Sequence, residues 1–378
     1  MQKTINFPVG YKKYLDDVHM NFQVNRWISL GYIKAETIKN ASKEIKDFAT
    51  WKNTMVEYAR QASEQGDLKE AAFLYRAAEF FTHPDDADKQ SLYGLFRDYI
   101  DKAYCDHNIE RLSTPYQDAA LPVIKFCGDG NKGTVLIHGG YDSFVEEFFA
   151  CALYIQSAGY DVILFEGPGQ GAALRESKLA LTHEWEKPVG AVLDHLDLSG
   201  VTLVGISLGG YLAARAAAFE ARISRVVLFG PIYDWMQKEG YISYLLAKIM
   251  IQNNFAARIN ARSEQRMRED FQANWSINHG MYITGTDSPF GFFKEMAKLS
   301  AKNLHSEKIL QDVLMLSGEE DHLVDVKAFQ KQKKALKNAR SVTGRIFTEK
   351  EHAQNHCQVG NVKLALDYIL DWMEEIRS

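Results

Sequence analysis

Short apolar runs alternate with helical stretches through the middle of this chain. The runs lie at residues 134–138, 161–165, 201–206 and 225–229, and the stretches between them repeat apolar residues at helical spacing. Continuous apolar runs are typical of fully buried strands, and strands that alternate with helices build βαβ units. The pattern predicts an α/β fold with a mostly parallel, doubly wound sheet that helices cover on both faces. Residues 313–317 restore the pattern near the C-terminus and extend the same sheet.

Two other regions lack this alternation. Residues 11–108 carry apolar residues at helical spacing without a β-branched run, and residues 233–304 are helical and rich in aromatic residues. We therefore expect four segments: an N-terminal helical domain over residues 1–115, a first part of the sheet domain over 116–232, a helical insertion over 233–305 and a second part of the sheet domain over 306–378.

The composition excludes several classes of function. The 378 residues carry a formal net charge of −5, and their lysines and arginines form no basic stripe of the kind that binds nucleic acid. The four cysteines, Cys105, Cys127, Cys151 and Cys357, lie far apart and predict neither a disulfide framework nor a zinc site. No apolar segment reaches the ~18–20 residues that span a bilayer, and the first ten residues lack the apolar run of a signal peptide. We therefore expect a cytoplasmic protein that binds neither nucleic acid nor membrane.

The segment Gly205-Ile-Ser-Leu-Gly-Gly210 follows a predicted strand and opens a helix. A serine on such a sharp turn has its hydroxyl exposed above the sheet, and small flanking residues allow the close backbone approach that the turn requires. The helix N-terminus also directs free N–H groups and the positive end of its dipole toward the serine. This context favours Ser207 as a catalytic nucleophile over a chance match to the short motif.

A serine hydroxyl needs a base to take its proton, and the base needs an acid to orient it. The sequence Gly-Glu-Glu-Asp-His-Leu-Val at residues 318–324 follows a predicted strand, where the acid of such a site belongs. Asp321 is the preferred acid because of its position in the pattern Gly-x-x-Asp-x-x-Val. Glu319, Glu320 and Asp325 are alternatives, although loop carboxylates of this kind are most often only solvated charges.

Two histidines, His352 and His356, follow the last short strand and precede the closing helix. We favour His356 as the base because turn and cap residues surround it, and we expect His352 to be a surface residue. Their spacing of four residues also occurs in zinc sites, but the zinc-protease pattern needs a glutamate directly after the first histidine, and this chain has Ala353 there. We therefore expect no metal.

The oxyanion of a tetrahedral intermediate needs two backbone donors. The N–H of Leu208, directly after the nucleophile, is one candidate, and the loop after the first core strand supplies the N–H of Gly140 or Tyr141 as the other. His138 precedes this loop and is expected to brace it. The sequence Glu-Gly-Pro-Gly-Gln-Gly at residues 166–171 lacks the Lys-Ser/Thr of a phosphate loop and predicts a tight turn, so no cofactor is expected.

These motifs resemble a branch of the α/β-hydrolases that contains 2,6-dihydroxypseudooxynicotine hydrolase and the fermentation–respiration switch protein. The resemblance rests on five motifs, His138-Gly-Gly-Tyr-Asp-Ser143 with Glu146 and Glu147, Glu166-Gly-Pro-Gly-Gln-Gly171, Gly205-Ile-Ser-Leu-Gly-Gly210, residues 318–324, and His356-Cys-Gln-Val-Gly-Asn361. The N-terminal helical stretch, including Phe22-Gln-Val-Asn-Arg26 and residues 71–89, is also similar, so the resemblance covers nearly the whole chain. Some members have Asp where this chain has Glu166, a difference that concerns loop packing.

The resemblance implies a serine hydrolase with the triad Ser207, Asp321 and His356. It also implies that residues 11–110 and 233–305 form a cap over the site, and that the protein forms a homodimer. Members of the branch include C–C hydrolases, esterases and acylaminoacyl-peptidase-like proteins, so the bond that is cleaved stays open.

The sequence therefore predicts a serine hydrolase that forms an acyl-enzyme on a small ester or amide, including short peptides. Aromatic residues of the insertion, such as Trp235, Phe292 and Phe293, would line an apolar pocket or simply pack the insertion. The alternatives are hydrolysis of a C–C bond in an aryl ketone, and a non-catalytic regulatory protein on a hydrolase fold.

Overall fold

The computed structural model describes residues 5–127, 131–236 and 241–376. The chain divides into two compact units. The helical unit comprises Met1–Asn108, Arg266–His279 and Val359–Val362, and the sheet unit comprises Ile109–Gln265, Gly280–Gln358 and Lys363–Ser378.

The helical unit is built mainly from helices α1 (Val18–Ser29), α2 (Ala35–Ala41), α3 (Phe48–Glu64), α4 (Leu68–Phe80) and α5 (Asp88–Ala103). The carboxylates of Asp17, Asp47 and Asp67 accept backbone N–H groups at the start of α1, α3 and α4, which satisfies donors that a helix leaves unpaired. Trp51 of α3 is fully buried and donates its indole N–H to the carbonyl of Ala77 in α4 at 2.7 Å. This contact ties the two helices together at the centre of the unit.

The sheet unit contains one eight-stranded sheet in the order β1-β2-β4-β3-β5-β6-β7-β8. Its strands are β1 (Ile109–Tyr116), β2 (Ala119–Phe126), β3 (Thr134–His138), β4 (Asp161–Phe165), β5 (Val201–Ile206), β6 (Ile223–Phe229), β7 (Asp312–Gly318) and β8 (Ser341–Phe347). Strands β1 and β2 are antiparallel to their neighbours, and all pairs from β4 to β8 are parallel. This arrangement confirms the predicted α/β class and mostly parallel sheet.

Helices between the strands and after β8 complete the sheet unit. They are α6 (Phe149–Ser157), α7 (Gly171–Arg175), α8 (Glu186–His195), α9 (Gly209–Ala217), α15 (Val326–Ala335) and α16 (Val362–Glu375), with short 3-10 turns at Val145–Phe148, Ser306–Lys308, Glu349–Glu351 and His356–Gln358. Strand β7 is buried along its whole length, as expected for a central strand covered on both faces. Within the described ranges, no helix is both long and apolar enough to cross a membrane.

Helices occupy the segment between β6 and β7, where the sequence predicts an insertion. They are α10 (Tyr241–Gln252), α11 (Ala256–Glu269), α12 (Phe271–Thr284), α13 (Pro289–Met296) and α14 (Ala301–Leu304), while residues 237–240 lie outside the described residues. The chain passes from the sheet unit to the helical unit after Gln265 and returns at Gly280, so α12 contributes to both units.

The parallel strands determine where a site can form. Because β3 to β8 run in the same direction, their carboxyl ends meet at one edge of the sheet. The candidate residues His138, Ser207, Asp321 and His356 are at or beyond the ends of β3, β5, β7 and β8 in turn. The topology therefore gathers residues from distant parts of the sequence at this edge.

Candidate active site

Ser207 lies on the turn between β5 and α9, with a backbone φ of +63°. This left-handed conformation is uncommon for a residue with a side chain and is typical of a strained functional turn. A Cβ atom on Gly205 would lie 1.9 Å from the carbonyl oxygen of Gly209, so only glycine permits the tight turn. The Ser207 N–H donates to the carbonyl of Phe229 in β6 at 2.7 Å, which anchors the turn to the neighbouring strand.

The structure brings Ser207, His356 and Asp321 together in one line of hydrogen bonds. The Nε2 atom of His356 lies 2.8 Å from Oγ of Ser207, and its Nδ1 atom lies 2.7 Å from Oδ2 of Asp321. The side chains of His356 and Asp321 are only 4% and 1% exposed. Such a relay can take the proton of the serine hydroxyl and stabilise the resulting imidazolium.

The loop after β7 holds the Asp321 carboxylate in place. Its second oxygen, Oδ1, accepts the backbone N–H groups of Leu323 and Val324, each at 2.8 Å. Gly318 permits the close contact between this loop and the loop that carries His356, because a Cβ atom there would lie 2.0 Å from the carbonyl oxygen of Gln354. The carboxylate therefore has a fixed orientation toward the imidazole.

The pKa values of the two partners move in opposite directions. Burial alone would lower the pKa of His356, but the Asp321 carboxylate outweighs burial and raises that pKa well above its ordinary value of 6.5. Burial alone would raise the pKa of Asp321, but the charge and hydrogen bond of His356 and the two backbone N–H groups lower it. Asp321 is therefore an anion beside a strongly basic imidazole.

The alternative acids lie elsewhere in the loop and have other contacts. Glu319 and Glu320 are exposed, and Glu319 accepts the backbone N–H of Glu349 at 2.7 Å. Asp325 is exposed and caps α15 by accepting the N–H of Lys327. None of the three contacts His356 through a hydrogen bond.

The other histidines of this region differ from His356 in exposure. His352 is exposed and adopts a left-handed conformation at the end of a 3-10 turn, and His322 is exposed with its ring 6.5 Å from the ring of His356. Within the described residues, no group of three or more histidines, cysteines, aspartates or glutamates is placed to hold a metal ion.

The loop after β3 lies against the turn that carries Ser207. A Cβ atom on Gly140 would lie 2.7 Å from the backbone nitrogen of Leu208 and 2.9 Å from the carbonyl oxygen of Ile206. In the described part of the chain, the N–H groups of Gly140 and Leu208 donate to no protein atom. Both N–H groups are therefore available to an oxyanion formed at Ser207.

Tyr141 follows Gly140, and its hydroxyl points toward the insertion. A Cβ atom on Gly280 of α12 would lie 2.5 Å from the Tyr141 oxygen, so the glycine leaves room for the phenol. Burial raises the pKa of Tyr141, with a smaller contribution from the charge of Asp142. The phenol is therefore neutral at physiological pH.

His138 is fully buried at the end of β3, directly before this loop. Its Nδ1 atom lies 2.9 Å from the carbonyl oxygen of Gly139, and its ring lies near those of Phe165 and Trp185. Burial lowers the pKa of His138 to about 4, so the imidazole is neutral and donates from Nδ1 to Gly139. The geometry agrees with the bracing role expected from the sequence.

The loop after β4 contains two polar side chains whose contacts the sequence does not reveal. The Glu166 carboxylate accepts the N–H groups of Val145 and Ala172 at 3.1 and 2.6 Å, while Gln170 donates to the carbonyls of the loop after β3. The sequence indicates only that the ends of β3 and β4 should be neighbours in a parallel sheet, which would bring the loops that follow these strands close together.

Most aromatic residues of the insertion pack against protein. Trp235 contacts Phe292 and Phe293, and Tyr244 donates to the Asp234 carboxylate at 3.4 Å. Phe255 is 50% exposed, and the side chain of Tyr241 lies outside the described residues. The aromatic content of the insertion therefore does not by itself define an apolar pocket.

Comparisons with known proteins agree with this fold. The family model described as "alpha/beta hydrolase fold" matches residues 135–352, more than half of the chain. Hydrolyase poxO of Penicillium oxalicum is 35% identical over 198 aligned positions, covering 48% of this chain and 47% of poxO. The 20-hydroxy-prefusarin hydrolase FUS2 of Gibberella moniliformis is 29% identical over 289 positions, covering 66% of this chain and 67% of FUS2. The chain thus spans about half the length of poxO and about two thirds that of FUS2.

A solved structure is similar over nearly the whole chain. The crystal structure of 2,6-dihydroxy-pseudo-oxynicotine hydrolase matches with a TM-score of 0.66 at 21% identity, covering 93% of this chain and 94% of the other. At this level of identity the match shows a shared fold.

Proposed function

Since this chain belongs to the α/β-hydrolase family, we propose that it is a serine hydrolase with Ser207 as nucleophile, His356 as base and Asp321 as acid. The observation that carries the proposal is the continuous line of hydrogen bonds from the serine hydroxyl through the imidazole to the carboxylate, at 2.8 and 2.7 Å. A protein that only binds a ligand has no need of all three groups together with a strained turn at the serine.

The proposed reaction begins when His356 Nε2 takes the Ser207 proton and the serine oxygen attacks the carbonyl carbon of the substrate. The carbonyl oxygen becomes an oxyanion that accepts the Leu208 N–H and the N–H of Gly140 or Tyr141. The imidazolium, stabilised by Asp321, then donates its proton to the leaving group, and an acyl-enzyme remains. A water molecule that loses a proton to His356 releases the acid and restores the serine.

We propose a small organic molecule with an ester or amide bond, including a short acylated peptide, as the substrate. The relative FUS2 is named as a 20-hydroxy-prefusarin hydrolase, and this name supports a substrate that is a single defined compound. Within the sheet unit, the insertion lies beside the site at Gly280 and Tyr141, which supports a restriction of access by this part of the predicted cap. A cytoplasmic location is also proposed, because the four cysteines are present as free thiols.

The test compares a p-nitrophenyl ester with an acyl-aminoacyl p-nitroanilide and an aryl 1,3-diketone, each with wild type and Ser207→Ala. Labelling with a fluorophosphonate and mapping of the modified residue runs in parallel. Turnover and labelling that both depend on Ser207 support the proposal, and the preferred substrate identifies the bond that is cleaved. A folded wild type that is neither labelled nor active on any substrate would favour the non-catalytic alternative.

A further inference from the structure

The side chain of Gln170 joins two loops at the edge of the sheet. It is 3% exposed and follows β4, the neighbour of β3. Its Nε2 atom donates to the carbonyl oxygens of Gly139 and Gly140 at 2.8 and 3.2 Å, and its Oε1 atom accepts the N–H of Gly167 at 3.1 Å. The primary amide thus forms hydrogen bonds through both its nitrogen and its oxygen, and its nitrogen donates to the loop after β3, which lies against the backbone nitrogen of Leu208.

These bonds determine the direction of two N–H groups. In a trans peptide the C=O and the N–H point in opposite directions, and none of the described peptide bonds is cis. The Gly139 carbonyl shares its peptide with the Gly140 N–H, and the Gly140 carbonyl shares its peptide with the Tyr141 N–H. When both carbonyls face Gln170, both N–H groups face away from it.

We propose that Gln170 is a positioning residue that orients the oxyanion donors of the loop after β3. This inference rests on the proposed serine-hydrolase function and extends it to a residue that touches no substrate. The two peptide planes depend on Gln170 to different degrees. The Gly139 carbonyl also accepts from His138, whereas among the described residues the Gly140 carbonyl accepts only from Gln170. Gln170 therefore controls the Tyr141 N–H most directly.

Contacts with neighbouring segments hold the loop after β3 on either side of the Gly140–Tyr141 peptide. At one end, Gly140 lies against the Leu208 nitrogen, as the 2.7 Å distance from its Cβ position shows. At the other end, the Glu166 carboxylate holds the Val145 N–H. Between these points, Gln170 is the side chain from the loop after β4 that holds the backbone carbonyls. Its loss removes the hydrogen bond that directs the Gly140 carbonyl toward the loop after β4.

The test uses Gln170→Met, which keeps the length of the side chain and removes its hydrogen bonds, and Gln170→Glu, which keeps an acceptor but removes both donors. Gln332→Met is the matched control, because Gln332 is also fully buried and hydrogen-bonds to Ser306 of a different part of the sheet unit. For each protein the experiment measures the melting temperature, kcat and KM for the ester, and Ki for a trifluoromethyl ketone and for the corresponding methyl carbinol. The ketone forms a tetrahedral adduct with an oxyanion, and the carbinol does not.

We expect both Gln170 variants to lower kcat by about 10- to 100-fold, less than the about 10²- to 10³-fold loss for removing a donor outright. KM and the carbinol Ki should stay within about 2-fold, while Ki for the ketone rises by the same factor as kcat/KM falls. A merely structural role would weaken ketone and carbinol alike, and the Gln332→Met control should match wild type in all kinetic constants.

Two results would overturn the inference in distinguishable ways. If Gln170→Met folds and keeps wild-type kcat and ketone affinity while Ser207 still labels, the positioning role is wrong and the proposed function stands. If wild type neither turns over substrate nor labels at Ser207, the proposed function fails, and with it any oxyanion for Gln170 to serve.

Discussion

The Oγ atom of Ser207 lies 2.8 Å from Nε2 of His356, although 149 positions separate the two residues in the sequence. Parallel strands explain this proximity, because the turn after β5 and the loop after β8 both emerge at the same edge of the sheet. The backbone bends sharply at both places, with φ values of +63° at Ser207 and +49° at Cys357. Conformations of this kind cost free energy, and they cluster at functional sites.

The first prediction concerns the nucleophile and the base. Ser207→Ala and His356→Ala should each lower kcat by about 10⁴- to 10⁶-fold, because each removes a member of the proposed triad, whose members act as one unit. His352→Ala is the matched control, since His352 is exposed and lies four residues from His356. It should keep wild-type kcat. Loss of activity in His352→Ala together with retention in His356→Ala would reverse the assignment of the base.

The second prediction concerns the acid. Asp321→Asn should lower kcat by about 10⁴-fold, because the amide favours the wrong imidazole tautomer and cannot stabilise the imidazolium. Asp325→Asn is the control, since Asp325 is exposed in the same loop and caps α15. Asparagine also caps helices well, so this variant should be active and stable. Steady-state kinetics of the two variants separates a catalytic carboxylate from a general effect of loop charge.

The pH profile gives a third prediction. His356 must be neutral to accept the serine proton, so kcat/KM should rise with pH through the pKa of His356. Because Asp321 raises that pKa, the midpoint of the rise should lie above 6.5 in wild type. In Asp321→Asn the raising charge is gone, and the residual activity should rise at lower pH than in wild type. A midpoint that does not move between the two proteins would show that another group titrates.

The sequence predicts the central strands and the turn at Ser207 well, because continuous apolar runs and flanking glycines are local signals. Strand β1 escapes prediction, since its segment is polar and largely exposed and becomes a strand only by pairing with β2. The contacts of Gln170 also cannot be predicted from the local sequence, because they depend on tertiary structure. A glutamine in a glycine-rich turn carries no local mark of its partners, and only the order of strands in the sheet places it against Gly139 and Gly140.

Only the tertiary structure distinguishes the candidate acid and the candidate base from their neighbours in the sequence. The sequence presents four carboxylates in the loop after β7 and two histidines after β8, all of the right chemical type. The structure separates them by burial: Asp321 and His356 point inward, while Glu319 and His352 are exposed. Periodicity cannot show this in a loop, because loop residues have no regular face.

A fourth prediction tests the close approach of the loop after β3 to the turn at Ser207. Gly140→Ala would place its Cβ atom 2.7 Å from the Leu208 nitrogen, closer than van der Waals contact permits. The clash should displace the proposed oxyanion donors and lower kcat by at least about 10²-fold. Gly94→Ala is the control, because Gly94 lies within α5 and its Cβ position is open. This substitution should keep full activity and raise stability by about 0.5–1 kcal/mol, as measured by chemical denaturation.

The last prediction concerns the helical unit, where a buried carboxylate faces two buried cations. Glu79 is fully buried and forms ion pairs with Arg76 and with Lys89, the latter at 2.8 Å. The substitution Glu79→Ala removes the carboxylate that compensates the buried charges of Arg76 and Lys89. We therefore expect it to lower the free energy of unfolding by about 3–5 kcal/mol.

The control for this prediction is Glu57→Ala, because Glu57 pairs with Arg60 on the exposed surface of α3 at 3.9 Å. Pairs of this kind contribute little, so the control should change the free energy of unfolding by less than about 1 kcal/mol. Denaturant titration followed by intrinsic fluorescence measures both variants, since Trp51 is buried in the same unit. Equal and small losses in the two variants would contradict the view that the Glu79 carboxylate is needed to compensate the buried cations.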